Sequence, residues 1–151
     1  MKVFILKRNS SLPQKDLFHI STDIKNFHKI MPRYFKSLDV MEETETKKFM
    51  LEKIKFFGIT LKIKTLHVIK KPNVHEVYVL SGPTQGTVFI EKYISSGKGT
   101  DVSIEVQLVF NGLMKVFGIL QGYVAKKMER VMSEFIYSAE NYYLENLTRN
   151  S

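Results

Sequence analysis

The stretch 113–147, LMKVFGILQGYVAKKMERVMSEFIYSAENYYLENL, decides how the chain is read. Apolar residues recur at Leu113, Phe117, Leu120, Val124, Met128, Val131, Phe135 and Tyr142, steps of three, four or seven that stack on one face at about 3.6 residues per turn. Lys115, Lys126, Glu129, Arg130 and Glu140 fall on the other side, and no proline interrupts the run. The pattern predicts one amphipathic helix of roughly 35 residues, about 50 Å long. Its apolar stripe needs a partner, and the preceding chain must supply it.

That preceding chain reads mostly as strand. Runs at 34–42, 47–56, 59–70, 74–80, 87–94 and 100–110 are rich in β-branched and aromatic residues and are separated by short turn signals. Connections this short make the pairing antiparallel. In the last run Val102, Ile104, Val106, Leu108 and Phe110 alternate with Asp101, Ser103, Glu105 and Gln107; in another, Ile59, Leu61 and Ile63 alternate with Thr60, Lys62 and Lys64. One face is therefore wet and the other packed. Residues 2–7 read as a first strand. A short helix follows Pro13 and runs to about Ile20, and a second runs from an Asp23 N-cap through Ile24, Phe27, Ile30 and Met31 to Pro32.

The order is β-α-α-β-β-β-β-β-β-α, an α+β class in one domain spanning 1–151. At 151 residues with 44% hydrophobic content, the chain is long enough for one sizeable core. There is no cysteine, so disulfides and thiolate chemistry are excluded. The first apolar run stops at Lys7-Arg8, too short for a signal peptide or a membrane span, which leads to the expectation of a soluble cytoplasmic protein.

The order resembles the helix-grip fold of the START / SRPBCC superfamily, which includes pollen-allergen-like proteins and polyketide cyclases. The local match is FHISTDIKNFHKIMPRY, from Phe18 through Asp23, Phe27 and Pro32 to Tyr34, similar to the family's entry into its second strand. The resemblance implies a seven-stranded antiparallel curved sheet wrapped around a long C-terminal helix, with two short helices between strands 1 and 2. It further implies an elongated apolar cavity holding a lipid, an isoprenoid or a polyketide-like ligand. Carriers, sensors and enzymes share the fold, so it does not choose among them.

Charge adds a second theme. Lys and Arg number 23 against 15 Asp and Glu, a net charge of +8. Between Thr46 and Lys71 stand Lys47, Lys48, Lys53, Lys55, Lys62, Lys64, Lys70 and Lys71 against one acid, Glu52. Such lysines keep an outer sheet face solvated and its edges apart; alternatively they form a docking face for an anionic membrane surface. Too few aromatics interleave with them for nucleic acid.

Direct searches for chemistry are mostly negative. His19, His28, His67 and His75 lack zinc-site spacing, so no metal is expected, and no cofactor. Ser95-Ser96-Gly97-Lys98-Gly99-Thr100 lacks phosphate-loop spacing and reads as a hairpin turn. Gly118 and Gly122 suggest close packing or a bend in the long helix.

Inward polar residues remain as candidates. If Lys62 and Lys64 face water, His67 points inward with Ile63 and Ile69, unless Leu66 and Val68 mark a bulge that reverses the parity. Glu76 with Tyr78, and Glu91 with Tyr93, each share a strand face. Inward, either pair would orient a polar ligand end or move protons; outward, Val77 and Val79, or Val88 and Ile90, would occupy the interior.

The expected cavity residues are Phe27, Met31, His67, Tyr78, Glu91, Tyr93, Phe110, Phe117, Leu120 and Val124. The principal expectation is binding or transport of a hydrophobic small molecule. The alternatives are a cyclase- or aromatase-type enzyme and a peripheral adaptor that binds an anionic membrane or nucleic acid through the lysine-rich hairpin.

Overall fold

A computed structural model describes residues 2–56 and 58–149. Strands β1 (Lys2–Ser10), β2 (Phe35–Glu43), β3 (Lys47–Phe56), β4 (Ile59–Lys70), β5 (Val74–Val79), β6 (Val88–Ser96) and β7 (Gly99–Leu108) form one antiparallel sheet in the order β1-β7-β6-β5-β4-β3-β2. Helices α1 (Gln14–Thr22) and α2 (Phe27–Ile30) carry the chain from the first strand to the second, which lie at opposite edges. The final helix, α3 (Gln121–Arg149), packs against β1, α1 and α2. Among the described residues no helix is long and apolar enough to cross a membrane.

Alternation along each strand produces the two faces. In β4 Leu61, Ile63, Thr65, His67 and Ile69 are buried while Lys62, Lys64 and Lys70 are exposed. Pairing with β3 and β5 is continuous, without a bulge at Leu66 or Val68. The register shifts fall instead in β2, between Phe35 and Ser37 and between Val40 and Glu42. A single core cluster joins Leu6, Tyr93, Val102 and Val106 of the sheet to Leu17 and Phe18 of α1 and to Val124, Met132, Phe135, Ile136 and Ala139 of α3. Burying residues of this kind stabilises by ~1.5–3 kcal/mol each.

The long helix starts later than its periodicity predicts. Residues Gly112–Gly118 form a 3-10 segment that opens on Gly112 at a φ of +60°, a left-handed conformation that glycine adopts freely. Leu113 is 98% exposed and Leu120 48%, so the start of the expected stripe lies at the surface. A Cβ on Gly118 or Gly122 would meet nothing within 4 Å, so neither is a packing glycine. Apolar spacing alone does not make a helix where no surface receives the stripe.

The connection after α1 also differs. Residues Ile24–Asn26 form a 3-10 turn ahead of the one-turn α2, and Asp23 does not cap the backbone: its Oδ2 accepts from Asn26 Nδ2 at 2.9 Å. Strand β1 runs on to Ser10, whose Oγ donates to Glu140 Oε1 at 3.0 Å, and Ser11 N donates to the same oxygen at 3.1 Å. These bonds pin the end of the first strand to α3. Gly99 makes the adjoining crossing possible, because a Cβ there would lie 2.2 Å from the Ser10 carbonyl oxygen.

Candidate functional site

Between sheet and helices lies a cavity of about 270 Å³. Its walls are largely aromatic and aliphatic: Phe27 of α2, Phe35 of β2, Phe89 of β6, Met128 and Phe135 of α3, with Leu61, Ile63 and Val79 on the floor. Phe27 stands edge-on to Phe35 with centroids 5.0 Å apart and lies 5.4 Å from Phe135. Phe110, also on the lining, packs at 5.8 Å on Phe117 of the 3-10 segment.

Across this floor runs a ribbon of polar groups from four adjacent strands. Strand parity turns Glu52 of β3, Thr65 and His67 of β4, His75 of β5, and Glu91 and Tyr93 of β6 all inward. Register then brings them together. His75 sits directly opposite Glu91 and His67 reaches His75 across a two-residue diagonal, whereas Glu52, paired with Ile63, lies diagonal to Thr65 and reaches His67 four residues along β4 by the length of its side chain.

The contacts form an unbroken line. Thr65 Oγ1 donates to Glu52 Oε2, and His67 Nε2 lies 3.1 Å from that same oxygen and 3.1 Å from the Thr65 hydroxyl. His67 Nδ1 lies 2.9 Å from His75 Nε2, with the ring centroids 5.1 Å apart and the ring planes 25° from parallel. His75 Nδ1 is 3.3 Å from Glu91 Oε1, and Tyr93 OH donates to that oxygen at 2.5 Å.

Proton counting constrains the charge of the line. Three links, Glu52 to His67, His67 to His75 and His75 to Glu91, each require one proton. Two neutral imidazoles supply only two. The array therefore holds one proton more than two carboxylates and two neutral rings would carry. Two carboxylates and this single extra proton leave a net charge of −1.

Burial alone would push the Glu91 carboxyl up, yet the charge of His75 and hydrogen bonds from His75 and Tyr93 outweigh it and hold Glu91 below the ordinary carboxylate range. Burial, reinforced by the Glu91 carboxylate, raises the Tyr93 phenol well above its usual value, so it remains a donor. Among the described residues none donates a hydrogen bond to Glu52 Oε1 or Glu91 Oε2, and both residues line the cavity. Each carboxyl therefore keeps one acceptor oxygen for whatever occupies the space.

Of the residues expected at the cavity, the structure brings Phe27, Met31, His67, Glu91, Tyr93 and Phe110 to its lining. Tyr78 lies elsewhere: with Glu76 it occupies the opposite sheet face, where its hydroxyl donates to Glu76 Oε2 at 2.5 Å and Lys70 pairs with the other oxygen. Val77 and Val79 take the inward positions there. In β6 the parity is the reverse, and the carboxylate and phenol are inside. Phe117 stands behind Phe110, Leu120 is half-exposed, and Val124 is wholly buried in the core without reaching the cavity.

Sequence reasoning missed Glu52, Thr65 and His75. A signal existed for Glu52: as the single acid among eight lysines, it sits between Leu51 and the outward Lys53 on the same parity as Met50 and Ile54. Among the described residues no three His, Asp or Glu side chains are grouped as a metal-binding set.

No protein-family model matches this chain, and no curated protein matches it in sequence. Solved structures do match in shape. A protein from Thermus thermophilus aligns with a TM-score of 0.80 at 14% identity, covering 96% of this chain and 99% of that one. An aromatase/cyclase from a Streptomyces species gives 0.79 at 10% identity over 92% and 93%. Norcoclaurine synthase from Thalictrum flavum, solved with dopamine and hydroxybenzaldehyde, gives 0.70 at 10% identity over 95% and 87%. At these identities the likeness is one of fold, and that fold is the helix-grip architecture, a sheet closed on a C-terminal helix.

Proposed function

We infer that this helix-grip chain binds a neutral, predominantly aromatic small molecule carrying a hydroxyl group. The observation supporting this reading is the pair of carboxyl oxygens, Glu52 Oε1 and Glu91 Oε2, that take no hydrogen bond among the described residues and face a cavity with largely aromatic and aliphatic walls. A ligand donor satisfies them, whereas an anionic ligand head meets a site already carrying net negative charge at low dielectric. Among the described lining residues the only Lys or Arg is Lys55, which is exposed, so no buried cation compensates a carboxylate or phosphate ligand. The aromatic walls supply affinity by burial at ~25 cal/mol per Å² and by ring packing. Free fatty acids are disfavoured on this reading; phenols and hydroxylated ring systems are favoured.

The test is a titration with 2-naphthol against its anionic isostere 2-naphthoate. The chain contains no tryptophan, so naphthol emission is read without indole overlap. Naphthol is expected to bind at least ten-fold more tightly than naphthoate, a difference of about 1.4 kcal/mol or more. Equal affinities would remove the role assigned to the carboxyls, and failure of both to bind would remove the reading itself.

A further inference from the structure

Recognition of a hydroxyl requires one carboxyl. The cavity holds two, joined by two imidazoles in hydrogen-bond contact, and every link of the chain between them is made. With one extra proton on the line, a protonated carboxyl at one end goes with an ionised carboxyl at the other. Shifting each link proton across its own hydrogen bond exchanges the two ends without moving a heavy atom. Holding a ligand does not by itself call for such a connection. Acid–base chemistry does, since the connection keeps a carboxylic acid and a carboxylate together in one apolar cavity.

We propose that the Glu52–His67–His75–Glu91 array is a coupled acid–base pair that tautomerises a hydrophobic ring ketone to its enol or phenol form. The proposal rests on the binding reading above and adds a reaction to it.

In the starting state the extra proton resides on Glu52, and Glu91 is ionised. Glu91 takes a proton from an activated ring carbon through its free oxygen, breaking that C–H bond. The electron pair passes through the ring into a new C=C bond, and the C=O pair moves onto oxygen. That oxygen takes the Glu52 proton, forming the O–H bond. A turn about the broad terminal torsion of Glu52 presents this proton to the cavity.

The two carboxyls have then exchanged protonation while the imidazole protons stay where they were, so the link from Glu52 to His67 lacks its proton. Solvent entering as the product leaves takes the proton from Glu91 and returns one to Glu52, and the line is complete again. Substrate and product are isomers, so no oxidant, reductant or co-reactant is consumed. The hydrogen bond from Tyr93 keeps the Glu91 carboxylate in place.

Geometry narrows the substrate class. Glu52 and Glu91 stand on strands three steps apart in the sheet order. By register Glu52 also lies six residues along β3 from the position opposite Glu91, about 20 Å at ~3.3 Å per residue, so the two side chains reach toward each other and the line of bonds between them leaves the carboxyls on the order of 10 Å apart. A simple ketone, whose acidic C–H adjoins its carbonyl, cannot touch both. A ring ketone whose acidic carbon lies across the ring from the carbonyl can: with a hydrogen bond of about 3 Å at each end, it bridges on the order of 10 Å. Anthrone is a neutral tricyclic probe with this arrangement, and its enol tautomer is a phenol.

The experiment follows exchange of the anthrone methylene protons for deuterium by NMR in D2O, with binding measured separately for anthrone and 2-naphthol. The wild-type protein is expected to accelerate exchange above buffer. Glu91→Gln, which keeps the shape of the base, is expected to lower kcat about 100-fold or more, within the range of general-base contributions.

His67 acts through its neighbours and is a positioning residue. His67→Gln leaves both carboxyls but uncouples them, and is expected to lower kcat at least ten-fold while KM and Tm change little; a merely structural role would move KM and Tm instead. Binding without acceleration, or a His67→Gln variant as fast as wild type, overturns the coupled pair and leaves the binding reading standing. If neither anthrone nor 2-naphthol binds, both readings fall together.

Discussion

His67 Nδ1 and His75 Nε2 face each other at 2.9 Å inside the sheet, a distance at which one and only one of the two nitrogens carries the proton between them. Their outer nitrogens are already committed to carboxyls, so neither ring can turn away to relieve a clash of lone pairs. The pair is expected to show a scalar coupling between the two ring nitrogens across a shared proton in 15N-labelled protein. Two independent neutral imidazoles with no such coupling would refute the proton count.

Acid stability follows from Glu91. Its folded carboxyl is held below the ordinary range, so its contribution is complete above the unfolded value of about 4.3 and is lost as pH falls through the depressed folded value. Chemical denaturation of Glu91→Gln is therefore expected to show a shallower loss of stability below about pH 4.3 than wild type. An equally steep acid limb would mean that other groups dominate.

Tyr93 works with the opposite sign. Its phenol is raised above the usual value, so its contribution is present below about pH 10 and is lost as pH climbs through the folded value. Tyr93→Phe deletes the donor to Glu91 and is expected to cost about 1–2 kcal/mol at neutral pH. Above pH ~10 its stability should fall less than that of wild type.

The true start of the last helix can be read from two substitutions. Met132 is 3% exposed and touches the core, so Met132→Ala is expected to cost about 2–5 kcal/mol. Ile119, inside the expected helix but 82% exposed, should tolerate Ser within about 0.5 kcal/mol. Comparable losses at both positions in thermal melts would contradict the placement of residues 113–120.

At Gly99 even one methyl group is too many. With the would-be Cβ 2.2 Å from the Ser10 carbonyl oxygen, Gly99→Ala must separate β1 from β7 locally, at a cost of about 1–3 kcal/mol. Hydrogen exchange should report the loosening at Ser10 and Thr100 before the rest of the sheet.

What the chain itself determined was everything that repeats locally. Alternation in 47–56, 59–70 and 100–110 places strands and their wet faces, and in β4 it turns His67 inward, as the fold does. Apolar spacing from Val124 to Tyr142 places the body of the last helix. Periodicity reports which residues share a face, not whether a partner surface exists, and so it counts Leu113 and Leu120 as buried stripe although the fold leaves both at the surface.

The site needed more. Glu76 with Tyr78 and Glu91 with Tyr93 are indistinguishable as sequence, yet one pair faces out and the other in, because cross-strand register and the side on which the helix packs are settled by contacts far apart along the chain. The same non-local register sets His67 beside His75, and both between Glu52 and Glu91. Four strands each contributed a residue with a bland local explanation, and only their assembly around one cavity made a proton-sharing line.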